Sequence, residues 1–425
     1  MIPSRPSAPP ARLFRAAALG ALLAAAPAET ARAQSYQTYD QGLTFGHFLV
    51  YPSVSFEYTR DSNIFYTGAD DPTTAPTSSG IAVVRPRILV DLPLRDNRIR
   101  WVYAPFYRDY TSQSFTGSNR LNHAFDLDGR FRAHRAITLA LRDHFVRGTV
   151  SLQEQTAGNG LSFGLGRFSA HNPALEIGVN LGARQGLSFI PSYSRFSFSG
   201  INDSIQYTYT ARKLENRYNY RLSEPATLYG YYAFEADTQD QMGVQDIRIR
   251  SRSSGLGLTR TVNETVVTQM SAGYQTMDFE GGTGRNFSGL VVDAGASLLL
   301  SDASRIEFAI VRHPYSSVYP GNNYYVDNEA RVHLTFQIGP STYVDVAAAG
   351  LRNVYAPQSG PGRTDRLTRL EIGMGHQFLR TLRGYVGATF ENRRSNVEQV
   401  IGGEDVDPFR IRVNRLLFRL EVGWM

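Results

Sequence analysis

The chain has 425 residues, a formal net charge of +6 and no cysteine. Without cysteine it has no disulfide staple, no thiolate metal site and no cysteine nucleophile. Mean hydropathy is −0.29, and beyond residue 33 no apolar run reaches helix-spanning length, which excludes a helical membrane protein. A membrane barrel stays open, because its lipid-facing and lumen-facing residues alternate and cancel in any window average.

The N-terminus reads as an export signal. Arg5, Arg12 and Arg15 form a positive region, Ala16 to Ala26 an apolar core, and Ala31-Arg32-Ala33 a cleavage site with small residues. The apolar core is too short for a spanning helix, which needs about 20 residues. The expectation is a signal peptide over 1–33, cut near Ala33, and one mature domain over 34–425.

The mature region reads as strand after strand. From Leu121 to Phe131, one parity holds Leu121, His123, Phe125, Leu127 and Phe131, and the other Asn122, Ala124, Asp126, Asp128 and Arg130. Val326 to Ile338 behaves alike. Period-two alternation puts each set on its own face of a strand. Short turns are predicted at Arg95-Asp96-Asn97, Ala133-His134-Arg135, Gly182-Ala183-Arg184, Ser223-Glu224-Pro225, Val262-Asn263-Glu264, Ser301-Asp302-Ala303, Gly339-Pro340-Ser341 and Arg380-Thr381-Leu382. Longer polar loops are predicted over 61–79, 112–118, 153–160, 238–245, 279–285, 316–323, 357–363 and 396–407. This alternation of short turns with long loops is that of outer-membrane barrels. With a first strand near His47 to Thr59 and a last near Phe409 to Trp424, the count is about 18 strands, or 16, in an all-β, up-and-down antiparallel transmembrane barrel. A β-propeller would need four strands and a blade motif in each 40-odd-residue repeat; the sequence shows two long strands and no such motif. Residues 207–222 and 247–262 alternate least cleanly.

Aromatics near strand ends (Tyr51, Tyr58, Phe65, Tyr66, Trp101, Tyr103 and Tyr107) fit the membrane–water interface. At the C-terminus, Leu416, Phe418, Leu420, Val422 and Trp424 share one face, and Arg415, Arg419, Glu421 and Gly423 the other. This alternation resembles the signal that outer-membrane proteins present to the barrel-assembly machinery. Here the aromatic is penultimate, before Met425.

Lys213 is the one lysine, so the basic residues are almost all arginine. They are dispersed along strands, which argues against a nucleic-acid partner. The polar parity places Arg98, Arg100, Arg108, Arg130, Arg132, Arg142, Arg331, Arg369, Arg383, Arg415 and Arg419 in the lumen. Asp126, Asp128, Glu176, Asp327, Glu329, Glu371, Glu391 and Glu421 stand against them. That arginine excess predicts a mild anion preference.

No catalytic, cofactor-binding or metal site is predicted. His123 and His376 fall on the apolar parity, His134 in a turn, and His144 and His333 on the lumen parity, where His333 shares a face with Asp327, Glu329 and Arg331. Gly164-Leu165-Gly166, Gly255-Leu256-Gly257 and Gly373-Met374-Gly375 lie within strands, so they mark curvature and are not phosphate loops. Asp70-Asp71 and Glu404-Asp405-Val406-Asp407 are acidic loop clusters, read as solvated charge.

The first hairpin reads Ser55-Phe56-Glu57-Tyr58-Thr59-Arg60-Asp61-Ser62-Asn63-Ile64-Phe65. Its D-x-N-I-F ending resembles a family of uncharacterised β-barrel porins of Gram-negative bacteria, some of whose members lie beside genes for surface polysaccharides. The resemblance implies an outer-membrane barrel and no catalytic residues. The expected function is a porin-like channel for diffusion or export of polar solutes, in contact with outer-membrane lipid. The alternative is an accessory barrel for surface-polysaccharide assembly or export, without an open pore.

Overall fold

The computed structural model describes residues 42–64, 68, 76–111, 120–150, 166–200, 206–241, 247–261, 265–280, 285–301, 304–317, 322–357, 362–397, 399–401, 404–407 and 410–423. The expected signal peptide, Phe65, Tyr66, Asp70-Asp71, Trp424 and the turns at 262–264 and 302–303 lie outside these residues.

The strands are β1 (Phe48–Asp61), β2 (Ser79–Leu94), β3 (Asn97–Tyr103 continuing as Phe106–Tyr110), β4 (Arg120–His134), β5 (Ile137–Val150) and β6 (Gly166–His171 continuing as Ala174–Asn180). Then follow β7 (Gln185–Gly200), β8 (Gln206–Ser223), β9 (Ala226–Gln241), β10 (Ile247–Thr261), β11 (Val266–Glu280) and β12 (Phe287–Ser301). The last six are β13 (Ser304–Ser316), β14 (Asn322–Gln337), β15 (Thr342–Pro357), β16 (Thr364–Leu379), β17 (Leu382–Ser395) and β18 (Ile411–Gly423). Each pairs antiparallel with its neighbours in sequence, and β18 pairs back onto β1 from Ser53↔Gly423 to Asp61↔Arg415. The sheet is therefore a closed up-and-down ring of eighteen strands. Closure leaves no strand of the ring with an unpaired edge.

Proline explains the two broken strands. Pro105 interrupts β3 and Pro173 interrupts β6. Proline has no N–H to give to the ladder. Pairing resumes beyond each break with the same two partners. A short strand, Leu43–Phe45, folds back on the start of β1 through a turn at Gly46. Gln399–Ile401 and Glu404–Val406 form a separate two-stranded hairpin.

Exposure alternates along each strand, which fixes the two faces. On β18, Leu416, Phe418, Leu420 and Val422 are exposed and point outward, while Arg415, Leu417, Arg419 and Glu421 are half-buried and point inward. The same separation places Leu256, Phe308, Ile310, Ile372 and Met374 outside.

Several boundaries differ from the sequence expectation. β1 runs to Asp61 and β18 spans 411–423. β9 continues to Gln241, β11 to Glu280, and the stretch expected as a loop over 396–407 contains the small hairpin. For β1, β9 and β11 the reason is the same. Backbone pairing does not require apolar side chains, so strands continue after their outward residues turn polar. Tyr51, expected at a membrane interface, instead points inward and is 4% exposed, packed against Leu89 and Val102.

Candidate functional site: the barrel interior

Every charge assigned to the lumen from sequence falls on the inward parity of its strand. Register brings many of these side chains within reach of carboxylates on neighbouring strands. On β2 and β3, Asp91 is 4% exposed; its carboxylate accepts from Arg98 and lies 3.6 Å from Arg100. Asp128 on β4 lies 3.9 Å from Arg130 and 4.0 Å from Arg142 on β5, which reaches Glu176 on β6 at 3.4 Å. His144 contacts Asp126 at 2.5 Å. Arg132 meets Asp96 at the turn, 3.3 Å away, and Arg108 is buried over the Phe106 ring.

The opposite wall repeats this chemistry. Arg369 on β16 donates two hydrogen bonds to Glu391 on β17, at 2.8 and 3.0 Å. Arg419 on β18 does the same to Glu57 on β1, at 2.8 and 3.0 Å. Arg415 donates to Asp61 at 2.8 Å. Arg331 lies 3.7 Å from Glu329, and Asp327 is buried beside them on β14. Glu371, Arg383 and Glu421 complete the expected set on inward positions of β16, β17 and β18. His333 reaches Glu307 on β13 and Asp345 on β15, at 3.4 and 3.6 Å.

The expected arginine excess in the lumen does not hold. Inward positions also carry the acids Glu57, Asp61, Asp91, Glu215, Glu235, Asp237, Asp293, Glu307, Asp345 and Asp365 and the bases Arg85, Arg87, Lys213, Arg217, Arg221, Arg305 and Arg393, which together bring acids and bases to about equal number in the described strands. Asp61, Asp91, Asp237, Glu307, Asp345 and Asp365 lie toward strand ends and Glu215 in a segment that alternates poorly, while Glu57, Glu235 and Asp293 lie within strands and are absent from the set expected from sequence. Arg98, Arg142, Arg369, Arg415 and Arg419 each have a carboxylate partner within 3.5 Å.

Burial deepens toward the long-loop end. There Asp365 is 2% exposed and accepts two hydrogen bonds from Arg363, at 2.9 and 2.7 Å, and one from Arg393 at 2.5 Å. The Arg363 guanidinium lies 4.7 Å over the Tyr355 ring, and Tyr355 and Tyr325 pack at 5.2 Å, each 1% exposed.

The in-strand Gly-x-Gly runs have a role beyond curvature. Tyr229 and Tyr231 on β9 pair directly with Gly257 and Gly255 on β10. Tyr343 and Tyr385 flank Gly375 on β16 from β15 and β17. A Cβ on Gly257, Gly273, Gly373 or Gly375 would strike one of these tyrosines. The rings therefore lie flat along the inner wall on glycine beds. Arg217 sits 5.5 Å over Tyr229, and Arg419 5.9 Å over Tyr385. At β9 and β10 a Tyr-x-Tyr strand beside a Gly-x-Gly strand is the sequence signal, whereas the bed on β16 takes single tyrosines from β15 and β17 and has no such local signal. Gly164-Leu165-Gly166 lies at the edge of the described residues.

His123 and His376 point outward, bonded to Tyr103 and Thr342 at 2.8 Å each. Among the described residues, no cluster of histidines and carboxylates could hold a metal ion. The Asp407 carboxylate accepts from the Ser395 amide at 2.9 Å, a loop-closing bond.

No family model matches the chain, and no curated protein does. Solved structures of similar shape include OpdK of Pseudomonas aeruginosa with vanillate, at 12% identity and TM-score 0.46, covering 88% of this chain and 99% of that one. The copper transporter OprC matches at 8% identity and TM-score 0.43, over 90% and 81%. The siderophore receptor PirA of Pseudomonas aeruginosa matches at 9% and 0.43, over 88% and 80%. The fold rests on the closed ring of pairings itself.

Proposed function

We propose that the chain is an outer-membrane barrel that works as a porin-like channel for polar solutes. The carrying observation is the closed ring of eighteen strands with an apolar exterior and an ion-paired interior. Barrels of 16–18 strands enclose an aqueous channel. An apolar outer band with a polar inside is the arrangement required when lipid surrounds the strands and water fills them. The paired charges line the path without a strong net field. The tyrosines lying flat keep the wall smooth while offering hydroxyls to a passing solute. The cluster of Arg363, Asp365, Arg393 and Tyr355 lies near the long-loop end, and we assign the constriction of the channel to it.

Single-channel recording of the full chain in a planar bilayer tests this. Discrete conductance steps are expected, with flux of small polar solutes into vesicles. A folded, inserted barrel that passes no current would overturn the channel and favour the non-conducting accessory role in surface-polysaccharide assembly.

A further inference from the structure

The exterior carries a second charge pattern, separate from the lumen. Register sets Arg312 on β13 beside Asn328 on β14, and Asn328 beside Arg352 on β15. The row goes on through Arg366 on β16 to Arg394 on β17. All five point outward, and Arg352, Arg366 and Arg394 are exposed. Arg312 is held by Asn328 Oδ1 at 2.5 Å and by the Leu290 carbonyl at 3.2 Å. Among the described residues, no carboxylate comes within ion-pair distance of the other three. Like charges directly opposite one another on a ladder repel, and among the described residues this row has no counter-charge.

Its height is informative. The outward positions of β16, from the short-turn end, are Phe378 beside the turn and then His376, Met374, Ile372, Leu370, Thr368 and Arg366. From His376 to Arg366 the strand covers about 33 Å, or about 25 Å along the axis at a barrel tilt near 40°. That matches the apolar band of an outer-membrane barrel, about 25 Å tall. Arg366 and its neighbours therefore stand at the rim of the band on the long-loop side. Just beneath them the outer surface is hollowed over Thr368, Leu370, Phe390, Asn392, Arg412 and Asn414. Arg412 adds a further exposed guanidinium at that hollow.

We infer that this row docks phosphate-bearing lipid headgroups of the leaflet on the long-loop side. The inference rests on the membrane reading above. A planar guanidinium binds phosphate oxygens in pairs. A ligand seated here must carry anionic oxygens at the level of Arg352, Arg366 and Arg394. It must also carry polar or anionic groups over the hollow at Arg412, and hydrocarbon against Leu370 and Phe390 and below. A phosphorylated lipid has both parts in that order. The bound phosphates supply the missing counter-charge and fix the depth of the barrel in the membrane.

The test uses the full chain folded into phosphatidylcholine vesicles, where heat-modifiable gel mobility reads insertion independently of the row. The barrel is then taken into mild detergent and mixed with diphosphorylated lipid A or with the same lipid stripped of phosphate. Native mass spectrometry reads the lipid retained. The wild type should prefer the phosphorylated lipid by at least about ten-fold. R352Q/R366Q/R394Q should insert as before and lose that preference, while R352K/R366K/R394K should keep part of it. If the triple glutamine variant does not fold, R366Q and R394Q are measured singly, each with a reduced preference expected. Equal retention of the two lipids by the wild type, or undiminished preference in the glutamine variants, overturns the lipid site and leaves the barrel reading intact. A wild-type chain that does not insert overturns the membrane reading, and this inference with it.

Discussion

Asp61 and Arg415 are 354 residues apart in sequence, yet the Arg415 Nε donates to Asp61 Oδ2 at 2.8 Å. They sit at the one junction of the ring that no turn connects, between β1 and β18. The D-x-N motif is built around this bond. Asp61 Oδ1 accepts from the Asn63 amide at 2.7 Å, and the Ser62 amide donates to the Asn414 carbonyl at 3.0 Å. The Asn414 amide returns a bond to Ser62 Oγ at 2.8 Å. At the other end of the seam, Gly423 has φ +148 and packs where a Cβ would strike the Ser53 backbone. The junction is thus pinned by a buried ion pair at one end, by Glu57 with Arg419 in the middle, and by a glycine at the other end.

The first prediction concerns that seam. Asp61→Ala leaves Arg415 half-buried without this carboxylate, and breaking such a buried pair costs about 3–5 kcal/mol. Arg415→Ala should cost a similar amount. The double variant should lose clearly less than the sum, because the two side chains act together. Urea midpoints of the folded band in vesicles give the cycle. Additive losses would show that the two residues do not hold the seam as a pair.

The second prediction concerns the outer face. Leu334 points outward between Ile306 and Val346, while Arg331 points inward between Ala309 and Ala349. Leu334→Arg puts a charge in the apolar band, at a cost of about 2–4 kcal/mol near its middle, and should impair insertion. Arg331→Leu should insert normally. Equal insertion of the two variants would reverse the facing assignment.

How far the sequence could be read follows from where polarity and pairing coincide. In β14 the two faces are nearly pure, Asn328 being the polar exception on the outer one, so Val326, Ala330, Val332, Leu334 and Phe336 separate from Asp327, Glu329, Arg331 and His333 by parity alone. In β8 and β10 the pattern blurs because Arg212, Arg248, Arg250 and Arg252 point outward. Those strands continue past the apolar band, and outward arginine there is compatible with pairing. The same effect hid Gln241 and Glu280 inside strands. Contacts across the ring, such as Asp61 with Arg415, depend on which strands meet and in what register, and no local pattern carries that. Tyr51 shows the limit of residue type as a guide, since an aromatic near a strand end suits an interface or a packed interior equally.

The third prediction concerns the glycine beds. Alanine at both Gly373 and Gly375 places methyl groups where Tyr385 and Tyr343 now lie. The rings must swing toward the channel axis. Overpacking of this kind costs about 1–3 kcal/mol, so the barrel should still form with a lower urea midpoint. Conductance should fall, and adding Tyr343→Ala and Tyr385→Ala should restore it. Unchanged conductance in the glycine variant would mean that the tyrosines do not bound the path.

The last prediction concerns selectivity. With inward acids and bases about equal in number, the wild-type channel should discriminate weakly between small cations and anions. Screening reinforces this, since salt damps fields beyond about 8 Å at physiological strength. The balance is local and can be tipped at the narrow end. Asp365 is shared by Arg363 and Arg393, and Glu391 neutralises Arg369. Asp365→Asn with Glu391→Gln keeps shape and hydrogen-bond acceptors but removes two negative charges beside three guanidinium groups. Arginine rings favour anions in pores, so the reversal potential in a salt gradient should move toward anion selectivity. The heat-modifiable band shows whether the variant still folds. Strong selectivity in the wild type would contradict the balanced interior. A folded variant whose reversal potential does not move would place the conducting path away from Asp365 and Glu391, and with it the proposed constriction.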